Sequence, residues 1–484
     1  MVQPAIDQFL DLAARYSVVP VWDKLLADRD TPVSAYEKLV GHDPGFLLES
    51  VEGGERWARW SFLGWDPAFT LVADHGRVES EIDLPGGDPL EVLAAIVDRY
   101  RVPDLPGLPP LHSGLVGYLG YDCVRYVERL APPPKDDRRL PEMIWQAVGA
   151  LAAFDRFDQT ITLVRNVFVG DDPAKQYQQA VAGLARDAER LGRPLPYRVS
   201  ALPSLKAPDV VSSTLDEESF VAAVMEAKDH ILAGDAYQIV LSQRLATPFD
   251  GDPFSVYRAL RLINPSPYLF LIRHPRVTVA GSSPELMTRV RNGVAFSRPI
   301  AGTRPRGTSE ESDRLLEEEL LADPKERAEH VMLIDLARND LGRVCDYGTV
   351  HVDDLMVIER YSHVMHIVSG VSGKVRSGIG PVDVLRATFP HGTVSGAPKV
   401  AAIKIIDRLE PVARGPYAGA VGYLDFSGNV DTAICLRTVV IGRGQAWVQA
   451  GAGIVADSDP AAEYTETMNK AAAALAAVEM AGHV

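Results

Sequence analysis

The sequence predicts an α+β protein whose sheets are antiparallel. Two observations carry this: hairpin signals follow one another in series, and helical runs stand apart from them. Met287 to Phe296 alternates polar and apolar residues about Asn292-Gly293, a strong hairpin signal. Tyr423 to Phe426 and Thr432 to Leu436 flank a turn at Ser427-Gly428-Asn429, and Val439 to Ala450 repeats the pattern across Gly442-Arg443-Gly444. A third observation is length. At 484 residues the chain exceeds what one hydrophobic core usually fills, which predicts two domains.

The boundary between them falls in a proline- and serine-rich run, Arg193 to Ser213. The expected organisation is a domain over 1–195, a linker over 196–213 and a second domain over 214–484. The second domain opens with Thr214 and Glu217 spaced as a capping box. Phe220, Val224, Ala227 and Ile231 follow at helical spacing until Gly234 stops the helix. PDLPGLPP from Pro103 and PPPKDD from Pro132 read as loops. Asp323 to Val344 is a further helical run with Glu326 and Glu329 at its head, and Glu463 and Glu466 repeat the E-x-x-E spacing downstream. Residues three apart share a helix face, so each pair aims two carboxylates in one direction. Such spacing commonly marks a solvated face. Two converging pairs would instead suit a hard cation such as Mg2+, which takes oxygen ligands.

A hydrophobic content of 46% with 24% charged residues describes an ordinary globular chain. The formal charge of -16 argues against a nucleic-acid partner, and it would repel an anionic substrate unless a cation and placed arginines intervene. Cys123, Cys345 and Cys435 have no C-x-x-C spacing and form neither a disulfide framework nor a zinc site, which fits a reducing cytoplasm. The N-terminal residues lack the pattern of a signal peptide, and no apolar stretch reaches the length of a membrane span.

Three glycine-rich segments read as turns beside strands: Pro299 to Gly307, Phe389 to Lys399 and Gln449 to Val455. Glycine lets a backbone approach a ligand and offer bare N–H groups to oxyanions. No G-x-x-x-x-G-K-[ST] loop occurs, and GAGIVA is not a dinucleotide fingerprint.

The ordered set AGTRPRG, DLARNDLGRV, ERYSHVMHIVSGV, HGTVSGAPK, GPYAGAVGY, AICLRT, GAGIVADSDP and E-x-x-E-x-x-NKA resembles the chorismate-utilising enzymes. Among them the chain is similar to the large subunits of anthranilate synthases, including FLLES from Phe46, RWSFLGWDP from Arg59 and GLVGYLGYD from Gly114. The resemblance implies large antiparallel β-sheets packed as a sandwich with helices outside. It implies Mg2+ held by Glu329 and Glu466, with Glu326 and Glu463 as supporting carboxylates. Chorismate would be contacted by Gly302, Thr303, Tyr417, Arg437, Lys470 and the backbone of Gly451, Ala452 and Gly453. His366 would face the departing ring hydroxyl as the acid–base residue, and Thr393 would touch the same region. His363 would point to the opposite strand face. His391 stands where the family more commonly has alanine, and is expected to face solvent.

Branches of the family differ in nucleophile. The water-adding branch carries a lysine base where this chain has Gln238, and aminodeoxychorismate synthases carry a lysine where it has Ala301. Both departures imply ammonia as nucleophile and anthranilate as product. Aminodeoxychorismate or aminodeoxyisochorismate synthesis, and a non-catalytic tryptophan-sensing scaffold, are the alternatives. No cysteine lies in a G-x-C-x-G elbow, so ammonia would come from a separate glutamine amidotransferase subunit in a heterotetramer. Leu48, Glu49 and Ser50, with Pro267, Tyr268 and Leu269, resemble the segments that bind tryptophan as feedback inhibitor, Glu49 serving as acceptor for its ammonium.

Overall fold

The computed structural model describes residues 1–26, 28–50, 59–195, 206–208, 211–360 and 364–482. Most of the expected linker, and His363, lie outside the described residues. Two large sheets, antiparallel throughout their paired strands, face one another. The first runs Val18–Leu26, Thr160–Phe168, Ala150–Asp155, Trp60–Trp65, Gly45–Glu49, Tyr268–His274, Val277–Ser283, Thr438–Gly442, Gln445–Ile454, Gln238–Pro248. The second runs Ile300–Pro305, Val364–Lys374, Val294–Ser297, Leu286–Arg291, Val430–Ile434, Ala420–Leu424, Leu115–Leu119, Met143–Ala147, Thr70–Asp74, Arg77–Glu79. Residues before 195 and after 214 meet inside both sheets. Leu47 pairs with Leu271 in the first, and Gly117 with Gly422 in the second.

Three apolar layers hold the sheets and helices together. Between the sheets lie Phe46, Phe62, Val116, Tyr118, Ile144, Phe270 and Val421. The outer face of the first sheet packs on helices Ile6–Ala13, Pro32–Leu39, Pro173–Leu191, Pro253–Ile263 and Pro460–Met480. The outer face of the second packs on Pro89–Arg99, Pro324–Gly342 and Pro381–Thr388. Central strands therefore have apolar neighbours on both faces, and Met143–Ala147 and Ala150–Asp155 are buried along their whole length. The expected sandwich with helices outside is the observed architecture.

Two sequence expectations change here. The helix after the linker spans Glu217–Leu232 and is capped by Asp216, which accepts from the Ser219 N–H at 2.9 Å. Thr214 accepts from the Arg244 N–H instead, because Ser212–Ser213 is an edge strand on Gln238–Pro248 and the chain is still extended at Thr214. Of the three glycine segments, two are strands. PIAGTRP lies in Ile300–Pro305 and QAGAGI in Gln445–Ile454. Their glycines serve close contact within sheets.

Helices Pro324–Gly342 and Pro460–Met480 share one kind of start. Asp323-Pro324 and Asp459-Pro460 each place a capping carboxylate before proline at the first helical position. A glutamate follows in each first turn, Glu326 and Glu463, where the helix dipole favours negative charge. Among the described residues no helix is long and apolar enough to cross a membrane.

Candidate active site

The glutamate pairs sit at the heads of helices Pro324–Gly342 and Pro460–Met480, and strands Gln238–Pro248 and Gln445–Ile454 link them. Gln238 donates from Nε2 to Glu329 Oε1 at 3.0 Å. A Cβ built on Gly453 would lie 2.7 Å from that same amide nitrogen, so the glycine leaves room for the Gln238 amide in this position. Two residues back, Gly451 accepts from Lys470 Nζ at 3.1 Å, and Lys470 also pairs with Glu466 at 2.6 Å. A Cβ on Gly451 would meet the Tyr417 hydroxyl and the Leu241 carbonyl, each at 2.7 Å. Ala452, between the glycines, is fully buried and turns to the other strand face.

Each pair repels itself. Burial raises the Glu326 carboxyl, and Glu329 raises it further; burial raises Glu463, with Glu466 adding to it. Present partners offset part of that charge. Arg304 reaches Glu326 at 3.4 Å, Gln238 holds Glu329 and Lys470 holds Glu466. The sequence reading gathers all four carboxylates about one ion. Among the described residues, however, no three such groups stand close enough to form a ready cage. The donor set itself, oxygen only and anionic, is of the kind a hard divalent cation takes.

His366 lies on strand Val364–Lys374 beside Ile300–Pro305. Its Nδ1 donates to the Gly302 carbonyl at 3.1 Å and stands 3.0 Å from the Thr303 hydroxyl. Gly302 adopts φ +70, and a Cβ there would approach Glu326 within 3.2 Å, which ties this strand to the first carboxylate pair. Burial lowers the His366 pKa, the Gly302 carbonyl opposes that, and Arg437 lowers it further. The imidazole is therefore neutral at pH 7, with its proton on Nδ1. Arg437 donates to Asn264 Oδ1 at 3.2 Å.

His391 is not at the surface: it is 5% exposed. It caps the short helix Gly392–Ser395, and its Nδ1 lies 2.8 Å from the Thr393 hydroxyl. Burial, then Lys399, lowers its pKa to about 3. Solvent is excluded because Phe389 to Val394 tucks into the core beneath the second sheet.

Beside it stands a residue that the motif reading missed. Glu285 is 7% exposed, its Oε1 has no hydrogen-bond partner, and His391 Nδ1 is 3.6 Å away. Burial raises its pKa to about 8, against the pull of Thr393 and Lys470. Glu285 thus carries a proton at neutral pH next to Thr393. A lone acid after Ser282-Ser283-Pro284, between two apolar strands, was the available signal. His366, Glu285, Lys470 and the two glutamate pairs thus lie along linked strands and helix heads. That arrangement can bind a carboxylate-bearing substrate and move a proton.

The chorismate binding enzyme family model matches residues 44–476. The chain belongs to the chorismate-binding enzyme family. Anthranilate synthase component 1 of Pseudomonas aeruginosa is 48% identical over 489 residues, covering 98% of each chain. The crystal structure of anthranilate synthase component I from Streptococcus pneumoniae superposes with TM-score 0.77 at 33% identity, covering 94% of this chain and 99% of that one. The menaquinone-specific isochorismate synthase of Escherichia coli shares the fold, with TM-score 0.72 at 19% identity over 98% of this chain and 99% of that one.

In this chorismate-binding protein a large cavity lies elsewhere, between the sheets, with a volume of about 600 Å³. Leu48, Glu49, Ser50, Pro267, Tyr268 and Leu269 all line it, so the structure brings together two segments distant in sequence. Glu49 differs from its expected part. Its side chain is fully covered, Oε2 accepting from the Tyr257 hydroxyl at 2.6 Å and Arg261 at 3.0 Å, and Oε1 from Arg156 at 3.3 Å. That carboxylate is already held, whereas the buried Ser50 hydroxyl has no partner.

Proposed function

We propose that this chain is the large component of an anthranilate synthase, converting chorismate and ammonia to anthranilate, pyruvate and water. Gln238 carries this reading within the family. Where a water-adding enzyme needs a basic lysine, an amide stands and spends its N–H on Glu329. An amide cannot take a proton from water at neutral pH, so ammonia, itself a nucleophile, is the reagent that needs no base there.

Arg437, Tyr417 and the strand backbone at Gly451 to Gly453 would bind the substrate's carboxylates, the planar guanidinium matching a carboxylate at two points. Lys470, Gly302 and Thr303 would complete the pocket. Glu329 and Glu466, supported by Glu326 and Glu463, would hold Mg2+, which when bound neutralises the ring carboxylate and steadies charge developing in the ring. His366, neutral with Nδ1 committed to Gly302, would hydrogen-bond the departing C4 hydroxyl as an acceptor and orient it. The proton that makes the hydroxyl a leaving group is better supplied by Glu285, which holds one at pH 7 beside Thr393. After amination at C2, loss of the ring proton and of pyruvate restores aromaticity.

All three cysteines are buried and burial raises their thiols, so none is poised to hydrolyse glutamine. A separate glutamine amidotransferase would supply ammonia in a cytoplasmic heterotetramer. Tryptophan would bind the cavity between the sheets and inhibit. The test is the chain incubated with chorismate, an ammonium salt and Mg2+, with product mass and fluorescence recorded. Anthranilate is expected; isochorismate or an aminodeoxychorismate as sole product would overturn the reading.

A further inference from the structure

The helix that carries Glu326 and Glu329 is tied to the strand that carries His366 by a buried hydrogen bond. His330 follows Glu329 directly and stands one turn beyond Glu326 on Pro324–Gly342. Its side chain is completely buried, and Nε2 lies 2.7 Å from the Ser369 hydroxyl. Ser369 belongs to strand Val364–Lys374, three residues after His366. Side chains alternate along a strand, so the bond pins it from the face away from the His366 imidazole. Ile334, Ala337 and Val371, from the same helix and strand, belong to one buried apolar cluster.

Ser369 also closes a bulge. In the neighbouring strand His351–Arg360, Asp354 pairs with Gly370 and Val357 with Val368, so Leu355 and Met356 stand against Ser369 alone. Met356 adopts φ +53, and its N–H donates to Ser369 Oγ at 2.9 Å. One hydroxyl thus meets both the bulged strand and the helix.

His330 Nδ1, by contrast, is buried and makes no hydrogen bond. An orphaned buried nitrogen costs stability, and an aliphatic side chain of similar size would avoid that cost. Fold stability therefore gives no reason for an imidazole here. What the ring supplies, and leucine cannot, is a directional bond that fixes how far the helix is turned and slid against the strand. Glu326 and Glu329 move with the helix, and His366 moves with the strand.

We infer that His330 is a positioning residue which, through Ser369, holds the Glu326–Glu329 pair in register with His366. The inference rests on the proposed Mg2+-dependent reaction and names what aligns its two sides.

The full chain is compared with His330→Leu, His330→Gln and Ser369→Ala by melting temperature, by the Mg2+ dissociation constant from calorimetry, and by kcat for anthranilate. His330→Leu should melt at or above the native temperature, yet bind Mg2+ and turn over each about 10-fold less well. His330→Gln, whose amide reaches toward the place of Nε2 and can donate or accept, should recover most of both losses. Ser369→Ala should reproduce the losses of His330→Leu, and the two together should add little, because both remove one bond. Tryptophan affinity should stay native in every variant. Native Mg2+ affinity and kcat in His330→Leu would overturn the inference, as would equal losses in His330→Leu and His330→Gln. Should His330→Leu fail to fold, native Mg2+ affinity and kcat in Ser369→Ala would overturn it equally. A native chain that forms anthranilate as fast without Mg2+, or none with it, would instead remove the proposed function.

Discussion

Individual side chains here are distinguished by whether their polar atoms are already spent. Glu329 carries one amide partner and is a proposed Mg2+ ligand, so Glu329→Gln should cut turnover at least ~100-fold while leaving tryptophan affinity unchanged. Retained activity at ordinary Mg2+ concentrations would remove it from the ligand set. Ser50→Ala should weaken tryptophan inhibition several-fold without lowering the melting temperature, since its hydroxyl has no protein partner to lose. Glu49→Ala should do both, because it strips a fully covered carboxylate from Tyr257 and two arginines. Equal melting temperatures for the two variants would contradict that division.

Glu285 supplies a pH signature at the same scale. Its folded pKa of about 8 exceeds the ordinary value of 4.5, so between those pH values the folded chain holds a proton that the unfolded chain releases. Its contribution to stability is full below about pH 4.5 and is lost as pH rises through 8. Glu285→Gln should flatten the fall in melting temperature between pH 6 and 8.5. It should also slow turnover ~100-fold or more, since glutamine keeps the hydrogen bond but has no proton to give. An unchanged pH slope would show that the carboxyl is ionised in the fold.

Among the elements, the helix starts at Asp323-Pro324 and Asp459-Pro460, two of five Asp-Pro starts among the described helices, explain why short sequence spacings could be read as a site at all. Proline fixes the first turn and aspartate satisfies its N–H groups, so a glutamate pair is presented at a helix head. Asp459→Ala should cost about 1 kcal/mol by loss of the cap, seen in thermal unfolding, and should weaken Mg2+ dependence by loosening Glu463. Strand Gln445–Ile454 is the complementary case. Its glycines look like a turn in sequence, yet they are strand positions where Tyr417 and Gln238 press on the backbone. Gly451→Ala should raise the chorismate KM at least ~10-fold with tryptophan binding intact, because a Cβ would displace the Tyr417 hydroxyl.

Across the whole molecule, the cavity and the catalytic space are joined by short pieces of chain. Asn264 holds Arg437, and three residues later Pro267 lines the cavity. Glu285 follows the strand paired with Tyr268–His274, and Arg289, four residues on, lines the cavity too. If tryptophan occupies the cavity as proposed, inhibition through these links would need no large motion. A small shift of either segment changes Arg437 or Glu285. Tryptophan and chorismate should then weaken one another's binding by the same factor, as linkage demands.

Much of this was legible in the residues. Period-two strands about Asn-Gly and Ser-Gly-Asn turns are local events, settled within a few residues, and the hairpins stand where the pattern put them. The motif order carries the family, and the E-x-x-E spacing put each pair on one helix face. By contrast, the start of the helix at Asp216 was decided by an edge strand pairing far along the chain, which kept Thr214 extended.

What only the tertiary structure decided is the state of each polar group. Glu49 is consumed by Tyr257, Arg261 and Arg156, His391 is buried, and Glu285 keeps its proton. Burial and partners fix charge and hydrogen-bonding capacity, and both are supplied by residues hundreds of positions away. Sequence determines which chemistry is carried; packing determines which atoms remain available to perform it.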